Sequence, residues 1–453
     1  MPPPLSRIFA RSQQQCANLK QAMPKTLPVD IPIEEERIPG YKRQNFYHPN
    51  PGDTIGRHYL LKAKVGWGST STVWLAQRGP TWFKRKKYFA IKIGTNNYYN
   101  GEAAKELAMS KYLASGNRNH WGHDLLVTAV DHFTINTPNG PHVCLVFEPM
   151  RDPLWLFRQR LPTGKITSTT LPLFKLYIRG MLYALDYLHR DRHVIHTDLK
   201  LDNILMTFEH NSVIEQFVQA QAQASGQMPR KVVGDDVIYL SHNNFGDIQE
   251  EHLRNVVPKI ADFGLSQRGD NDAPLIHPIQ PSHCHAPEIW DLLAKQELFV
   301  ARDDASEYSA AHHLAEMIAL IGPVPDVLLQ RQRDMRHWCW EPDIPNPQGK
   351  ICNNAADYFG GPFFDDDGEC RYVRRHQQQP ATPELTLCAA NVAGVFMHDG
   401  LIPLHRQLRK EVPDCIDADD RDRFLAFLKR MICWLPEERA TAEDLAKDPW
   451  LRS

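Results

Sequence analysis

Long apolar runs, paired cysteines and net charge are all scarce in this 453-residue sequence. No run approaches the roughly 18 apolar residues of a membrane-spanning helix, so we expect no membrane partner. The nine cysteines are scattered, odd in number and without a C-x-x-C pair. This argues against a disulfide framework and a zinc site and favours a reducing compartment. A formal net charge of −2 indicates no general polyanion-binding surface, so we expect no direct binding of nucleic acid.

The N-terminal stretch is also short of one kind of charge. Residues 1–29 contain no aspartate or glutamate but carry four basic side chains. This composition weakly resembles a transit peptide. Residues 1–51 are rich in proline and glutamine and show no sustained periodicity, which is typical of a disordered or extended leader. We expect such a leader over residues 1–51 and leave open whether it is a targeting signal.

An octapeptide, residues 196–203, carries the clearest chemical signal. It reads H-T-D-L-K-L-D-N and lies between an apolar helical run, residues 178–188, and a strand-like stretch, residues 204–206. Phosphoryl transfer needs a carboxylate for the acceptor proton, a cation for the phosphoryl group and an oxygen ligand for Mg²⁺. We therefore predict Asp198 and Lys200 as catalytic residues and Asn203 as a metal ligand. Taken alone, the octapeptide could also be a helix cap with incidental charges.

A glycine turn upstream indicates a phosphate-binding hairpin. Residues 59–65 and 66–76 predict two strands, with Gly66 and Gly68 letting the backbone approach phosphate oxygens and with Val65 and Val73 beside the nucleotide. Ser71 replaces the third glycine of the usual G-x-G-x-x-G pattern. A plain hairpin is the alternative, and the next strand is what favours a nucleotide site.

That strand, residues 89–93, places Lys92 among apolar neighbours that include Ala90. A buried lysine is costly unless a carboxylate meets it, so a helix carrying a glutamate should follow. Residues 101–113 predict that helix, with Glu106 as the partner in preference to Glu102. Ser110, one turn later, is a polar residue at a position where an apolar side chain is expected.

Two further segments complete the predicted nucleotide and metal sites. The apolar strand at residues 142–147 ends at Phe147 and runs into a connector with Glu148 and Met150, which we predict to line the adenine pocket. A plain core strand is the alternative. Asp262 begins a D-F-G motif and is predicted to bind Mg²⁺, with Phe263 packing beneath the Glu106 helix.

The spacing of these motifs predicts an insertion. Asn203 and Asp262 lie 59 positions apart, whereas protein kinases, which these motifs resemble, generally have only about a dozen residues between their two Mg²⁺ ligands. We therefore predict an insertion over residues 209–255, half ordered, with a strand near residues 237–240. An A-P-E triplet then ends at Glu288. The resemblance to protein kinases implies that this glutamate pairs with a buried arginine near the end of the domain, for which Arg439 is the candidate.

The motifs in this order resemble the eukaryotic protein kinase fold over residues 57–452. Their spelling resembles the SR-protein-specific kinases of the CMGC group. The features that carry this are the G-W-G turn, the H-T-D triplet, the insertion before Asp262, residues 313–322 and the final D-P-W-L.

This resemblance implies an α+β, bilobal fold with a β-rich N-lobe, residues 57–147, and a mainly helical C-lobe, residues 151–452. It also implies ATP and Mg²⁺ as cofactors and structural roles for His196, Phe263, Gly264, Glu288 and Arg439. Serines in Arg/Ser-rich proteins would be the substrate, with a link to mRNA splicing. We expect a monomer found in the cytoplasm and the nucleus.

Two departures from the family pattern bear on activity. Thr197 stands where many kinases have an arginine that reads an activation-segment phosphate, so we expect activity without that phosphorylation. After Glu288, some twenty residues of a central helix are missing, which would be roughly 30 Å of helix. We expect an unstable C-lobe, and a mis-joined or decayed gene would explain it.

Three function classes follow: a serine/threonine kinase, a pseudokinase or scaffold, and a small-molecule kinase. The A-P-E triplet with Arg439 argues against the third. An acidic stretch, residues 365–369, would suit an arginine-rich substrate, although a solvated loop explains it equally well.

Overall fold

The structure is a computed structural model, and it describes residues 26–79, 87–96, 101–161, 163–223, 228–269, 288–334, 339–346, 348–365 and 396–452. These residues fall into two compact units, which lie within Pro2–Pro281 and Ser282–Ser453. The predicted lobe boundary at residues 147–151 lies inside the first unit, which therefore contains both the predicted nucleotide strands and the predicted catalytic loop. Across the described ranges, no helix combines the length and apolarity needed to cross a bilayer.

A six-stranded antiparallel sheet in the order β1-β2-β3-β4-β6-β5 forms one part of the first unit. Leu61, Trp74 and Ile91 are buried on one face of the sheet and Leu75 on the other, because alternate side chains of a strand point to opposite faces. The predicted hairpin and the strands around Lys92 and Phe147 are confirmed. The strands are β1 (Thr54–Ile55), β2 (Tyr59–Gly68), β3 (Ser71–Arg78), β4 (Lys87–Gly94), β5 (Asp131–Thr137) and β6 (Gly140–Phe147).

Helices and short ribbons make up the rest of this unit around residues 196–203. Helix α3 begins with a proline in its first turn, where no backbone donor is required. It confirms that the predicted apolar run is helical, and Ile178 and Leu182 of that run are buried. The helices are α1 (Glu102–Ala114), α2 (Leu154–Gln159) and α3 (Leu171–Asp186).

Two antiparallel ribbons bring the catalytic loop and the Asp262 segment together. Strand β7 (Val194–Ile195) pairs with β12 (Gln267–Arg268), and β8 (Ile204–Met206) pairs with β11 (Pro258–Ile260). The loop between β7 and β8 therefore lies beside the loop between β11 and β12.

Residues 26–51, called here the N-terminal strap, are part of the folded unit. Leu27, Ile33 and Phe46 are buried, and two 3₁₀ turns span Glu34–Arg37 and Arg43–Asn45. Of the predicted disordered or extended leader, residues 26–51 are therefore not disordered, because the strap packs on the domain. Residues 1–25 of that predicted leader lie outside the described residues.

Buried charges hold the strap in place. Lys64 of β2 is 1% exposed, and its Nζ lies 2.8 Å from a Glu34 oxygen and 2.6 Å from a Glu35 oxygen. Lys231, in the insertion, lies 2.8 Å from Glu36. Three consecutive glutamates thus bind two lysines that are far apart in the sequence.

The predicted insertion is folded wherever it is described. It contains α4 (Asn211–Gln223) and an antiparallel hairpin of β9 (Arg230–Val233) and β10 (Asp236–Tyr239), which confirms the predicted strand. Tyr239 contacts Trp74 of β3 edge-on, with ring centroids 5.9 Å apart. The insertion therefore adds to the core of the sheet.

The second unit is mainly helical. Trp290, 0% exposed, stacks on Phe424, which in turn contacts the equally buried Trp450. The helix described from Glu288 to Ala294 carries Trp290 into this core. The second unit also contains a small antiparallel ribbon of β13 (Ile344–Pro345) and β14 (Ile351–Cys352). The described helices of this unit are α5 (Glu288–Ala294), α6 (Ala310–Ile321), α7 (Asp326–Asp334), α8 (Ala355–Phe359), α9 (Arg421–Lys429) and α10 (Ala442–Ala446).

Candidate active site

Lys92 connects three elements of the first unit. It lies in β4 opposite Val73 of β3, and its Nζ donates to both carboxylate oxygens of Glu106 on α1, at 2.9 and 2.8 Å. The same Nζ lies 3.0 Å from Asp262 Oδ1. The structure thus places Glu106 beside Lys92, as the cost of a buried lysine predicted.

The charges around Lys92 keep both it and Asp262 ionised. Burial favours the neutral amine, but the carboxylates of Asp262 and Glu106 outweigh burial, so the pKa of Lys92 is raised. The Lys92 ammonium in turn holds the pKa of Asp262 below its ordinary value. The site therefore offers an ammonium suited to phosphate oxygens and a carboxylate suited to a divalent metal.

The predicted catalytic side chains converge on Asp198. Lys200 Nζ lies 2.7 Å from Asp198 Oδ2, and Asn203 Nδ2 donates to the same oxygen at 3.0 Å and to the Asp198 carbonyl at 2.8 Å. Within the described residues, the other carboxylate oxygen, Oδ1, is buried and accepts no hydrogen bond. A buried oxygen without a donor is costly, and it suits a group that receives a proton from an acceptor hydroxyl.

Thr197 and Asp262 both have left-handed backbone conformations, with φ of +65° and +64°. For a residue with a Cβ atom this costs about 1–2 kcal/mol. Thr197 Oγ1 donates to the Leu265 carbonyl at 2.8 Å, which ties the catalytic loop to the Asp262 segment. Such strained positions held by their surroundings are typical of functional sites.

His196 is buried and connects the same two loops. Its Nε2 donates to the Ala261 carbonyl at 3.0 Å, and its ring contacts Phe263 with centroids 5.2 Å apart. Burial lowers the pKa of His196, so the neutral ring is favoured. Phe263 is 2% exposed, and Gly264 follows it with Glu106 Oε2 only 3.8 Å from where a Cβ atom would lie.

The glycine hairpin has an open backbone that fits a nucleotide phosphate. A Cβ atom at Gly66 would meet Val73 no closer than 3.7 Å, and one at Gly68 would meet Ser71 no closer than 3.8 Å. The fold of the chain itself therefore does not require glycine there. Space next to the backbone at both positions is what a bound phosphate group would use.

The predicted adenine side of the site follows from strand register. Ala90 of β4 pairs directly with Phe147 of β6, and both are partly exposed. The Glu148 side chain is exposed, with a carboxylate oxygen 3.5 Å from Lys87 Nζ. Val65, near the end of β2, and Met150 are half-buried.

Comparison with known proteins identifies the family. Residues 59–451 match the family described as "Protein kinase domain". The chain belongs to the protein kinase family. A solved crystal structure of a kinase domain shares the fold, with a TM-score of 0.51 and 18% identity over 90% of this chain and 100% of that chain. As a protein kinase, it uses ATP and a divalent metal and acts on a protein substrate.

The curated relatives are serine/threonine kinases. One from Aspergillus fumigatus is 28% identical over 476 residues, covering 99% of this chain and 98% of that protein. A Physarum polycephalum kinase named SRPK is 23% identical over 92% of this chain and 91% of its own length. Human SRSF protein kinase 3 is 33% identical over 38% of this chain and 30% of its own length. The protein is a serine/threonine protein kinase that resembles the SRSF protein kinases.

Ser110, the polar departure in helix α1 of this kinase, has a structural explanation. It is 2% exposed, and its Oγ accepts a hydrogen bond from the Ala129 backbone amide at 2.6 Å. The hydroxyl thus satisfies a backbone donor where other kinases would pack an apolar side chain.

The predicted Glu288–Arg439 pair is not supported. Arg439 is exposed rather than buried, because it follows the solvent-exposed 3₁₀ turn Pro436–Glu438, and its Nη2 donates to the Cys433 carbonyl at 3.2 Å. The side chain of Glu288 lies outside what the structure describes. Most of the acidic stretch also falls outside, since residues 366–369 are not among the described residues.

Proposed function

We propose that this kinase uses Mg²⁺ with ATP to phosphorylate serines in Arg/Ser-rich segments of proteins, and that it thereby takes part in regulating mRNA splicing. The kinase itself would be found in the cytoplasm and the nucleus. The observation that carries the proposal is the Asp198 cluster, with one buried carboxylate oxygen left to accept a proton. The substrate class follows from the similarity to proteins named SRSF protein kinase 3 and SRPK.

The roles of the side chains follow from their contacts. Asp198 Oδ1 would accept the proton of the serine hydroxyl, while Lys200, 2.7 Å from Asp198 Oδ2, would offset negative charge on the group in transfer. The Asn203 side-chain amide group donates hydrogen bonds to Asp198. The Asn203 amide oxygen is therefore the atom that would bind Mg²⁺ together with Asp262 Oδ2. Lys92, held by Glu106, would bind the phosphates. ATP bound with Mg²⁺ supplies the phosphoryl group and the cation that neutralises its oxygens.

Mg²⁺ is supported by the donor set. A carboxylate and an amide oxygen are ligands that a hard cation prefers, with substrate phosphates and water completing the coordination. Among the described residues, no group of three or more His, Cys, Asp or Glu side chains forms an alternative metal site.

The test is transfer of labelled phosphate from ATP to an Arg-Ser repeat peptide by the purified full chain. Asp198→Asn is the matched variant, since it keeps the shape of the side chain but cannot act as a base. We expect a loss of about 10²- to 10⁴-fold in turnover, with nucleotide affinity, measured by calorimetry, retained. A peptide with lysine in place of every arginine should be a poorer substrate.

Each outcome separates one part of the proposal from the others. Equal rates on the arginine and lysine peptides would reject the Arg/Ser-rich substrate but leave the kinase reaction. A folded chain that binds Mg²⁺-ATP yet transfers nothing would instead identify this chain as a pseudokinase. Microscopy of the tagged chain tests the location, and exclusion from the nucleus would contradict it.

A further inference from the structure

Tyr112, in the last turn of helix α1, lies beneath two arginines. The guanidinium carbon of Arg192 is 3.9 Å from the centroid of the Tyr112 ring, and that of Arg268 is 4.2 Å from the same centroid. Both distances are well inside the roughly 6 Å within which a guanidinium is attracted to an aromatic face. The ring therefore contacts two cations from two different segments of the chain.

The first arginine anchors Tyr112 to the segment before the catalytic loop. Tyr112 Oη donates to the Arg192 carbonyl at 3.0 Å, and Arg192 Nη2 donates back to the Tyr112 carbonyl at 2.8 Å. Helix α1 is thus fixed at its C-terminal end to the stretch that leads into β7.

The second arginine belongs to the start of the activation segment, residues 262–269. Arg268 lies in β12 opposite Val194 of β7, and the next residue, Gly269, donates its amide to the His193 carbonyl at 2.7 Å. Helix α1 therefore contacts this segment at two places, at Glu106 through Lys92 and Asp262, and at Tyr112 through Arg268.

We infer that Tyr112 is a positioning residue, which holds the start of the activation segment against helix α1 without any phosphate. In kinases with an arginine at the position of Thr197, a phosphate can draw such segments together. Here Thr197 instead bonds the Leu265 carbonyl, and the two guanidiniums on Tyr112 attach the segment to the C-terminal end of helix α1. The role rests on the proposed kinase function, since it sets the geometry of Glu106 and Asp262.

Hydrogen exchange of the unphosphorylated full chain, measured by mass spectrometry over residues 262–269, tests this without relying on turnover. Tyr112→Leu removes the ring, and we expect exchange there to become about tenfold faster, the effect of losing a desolvated cation–π contact. Tyr112→Phe keeps the ring and should exchange like the wild type. Tyr183→Leu, which removes a ring that contacts Trp121 instead, is the matched control.

A double-mutant cycle identifies the partner. Arg268→Gln should accelerate exchange to a similar degree, and the double variant Tyr112→Leu/Arg268→Gln should be no faster than either single variant. The melting temperature should be the same for Tyr112→Leu and Tyr183→Leu, which separates local positioning from general destabilisation.

The inference is overturned if Tyr112→Leu exchanges within about twofold of the wild type, if Tyr183→Leu is equally fast, or if the two substitutions add independently. These outcomes are distinct from failure of the proposed function. A chain that transfers no phosphate but shows the expected exchange pattern retains the positioning role and refutes only the activity.

Discussion

Replacing Lys64 with methionine tests what holds the N-terminal strap to the sheet. Lys64 Nζ lies 2.8 Å from Glu34 and 2.6 Å from Glu35, and it donates to the Tyr239 carbonyl at 2.9 Å. The charges of Glu34 and Glu35 keep the pKa of Lys64 raised although burial opposes this. Methionine preserves the apolar stem but leaves two carboxylates, 5% and 1% exposed, without their cation.

The magnitude follows from the burial of the cluster. Removing one partner of a buried ion pair costs about 3–5 kcal/mol, against a total domain stability of about 5–15 kcal/mol. Docking of the strap is what buries these carboxylates, so the cost falls on the docked state. Detachment of the strap should therefore become at least about a hundredfold more frequent, since each 1.4 kcal/mol is tenfold.

The assay is hydrogen exchange at amides that bond across the strap. The Leu27 amide donates to the Arg230 carbonyl at 2.8 Å, and the Asn96 amide donates to the Asn45 carbonyl at 2.9 Å. Both should exchange about a hundredfold faster in Lys64→Met. Lys87→Met removes an exposed lysine from the same sheet, 56% exposed beside Glu148, and should change little.

The triple variant Lys64→Met/Glu34→Gln/Glu35→Gln gives the decisive comparison. Without the buried charges it should recover most of the lost protection, because a neutral replacement of a buried ion pair is close to neutral in stability. Acceleration of less than about threefold in Lys64→Met, or a triple variant as fast as the single one, would refute the reasoning.

Three other predictions follow from the structure. Burial lowers the pKa of His196 below its ordinary value of 6.5, so its contribution to stability is fully present above pH 6.5 and is lost as the pH falls below it. In urea titrations between pH 5 and 7, the free energy of unfolding of His196→Gln should therefore depend less steeply on pH than that of the wild type. The difference between the two slopes should correspond to about one bound proton or less, and equal slopes would contradict the prediction. Trp290→Ala should cost about 3–5 kcal/mol in the same titrations, whereas Trp121→Ala, 82% exposed, should cost less than about 0.5 kcal/mol; similar losses would reject the packing argument. Because Thr197 carries no charge to be neutralised, phosphatase treatment should leave phosphate transfer unchanged, and its abolition would refute this.

The sequence predicts a contact well when a residue needs a partner and the neighbouring segment contains very few candidates. A lysine among the apolar residues of β4 needs a carboxylate, and the next helix offers few, so Glu106 could be chosen before the structure was known. The order of Asp198, Lys200 and Asn203 on one loop likewise needs only the local turn to bring the three side chains together.

The strap could not be predicted in this way, although the signal was similar. Lys64 is also a lysine in an apolar strand, but its partners lie outside any neighbouring element, in a stretch whose prolines indicated a leader. Its other bond reaches Tyr239, 175 positions away. Arg439 differs from expectation in its burial alone, because the family pattern implies a buried arginine while the local turn leaves it exposed. Its pairing with Glu288 stays a prediction.

The separation of these partners has a consequence for how the chain is made. Synthesis at about 5–20 residues per second means that Tyr239 emerges roughly 10 to 35 s after Lys64. During that interval the sheet can form and the strap can meet Lys64, but the hairpin β9–β10, which provides Lys231 for Glu36, is still absent. Until then Lys64 is, among the described residues, the one lysine that meets the glutamates of the strap, and the described attachment of the strap is complete only once the insertion supplies Lys231.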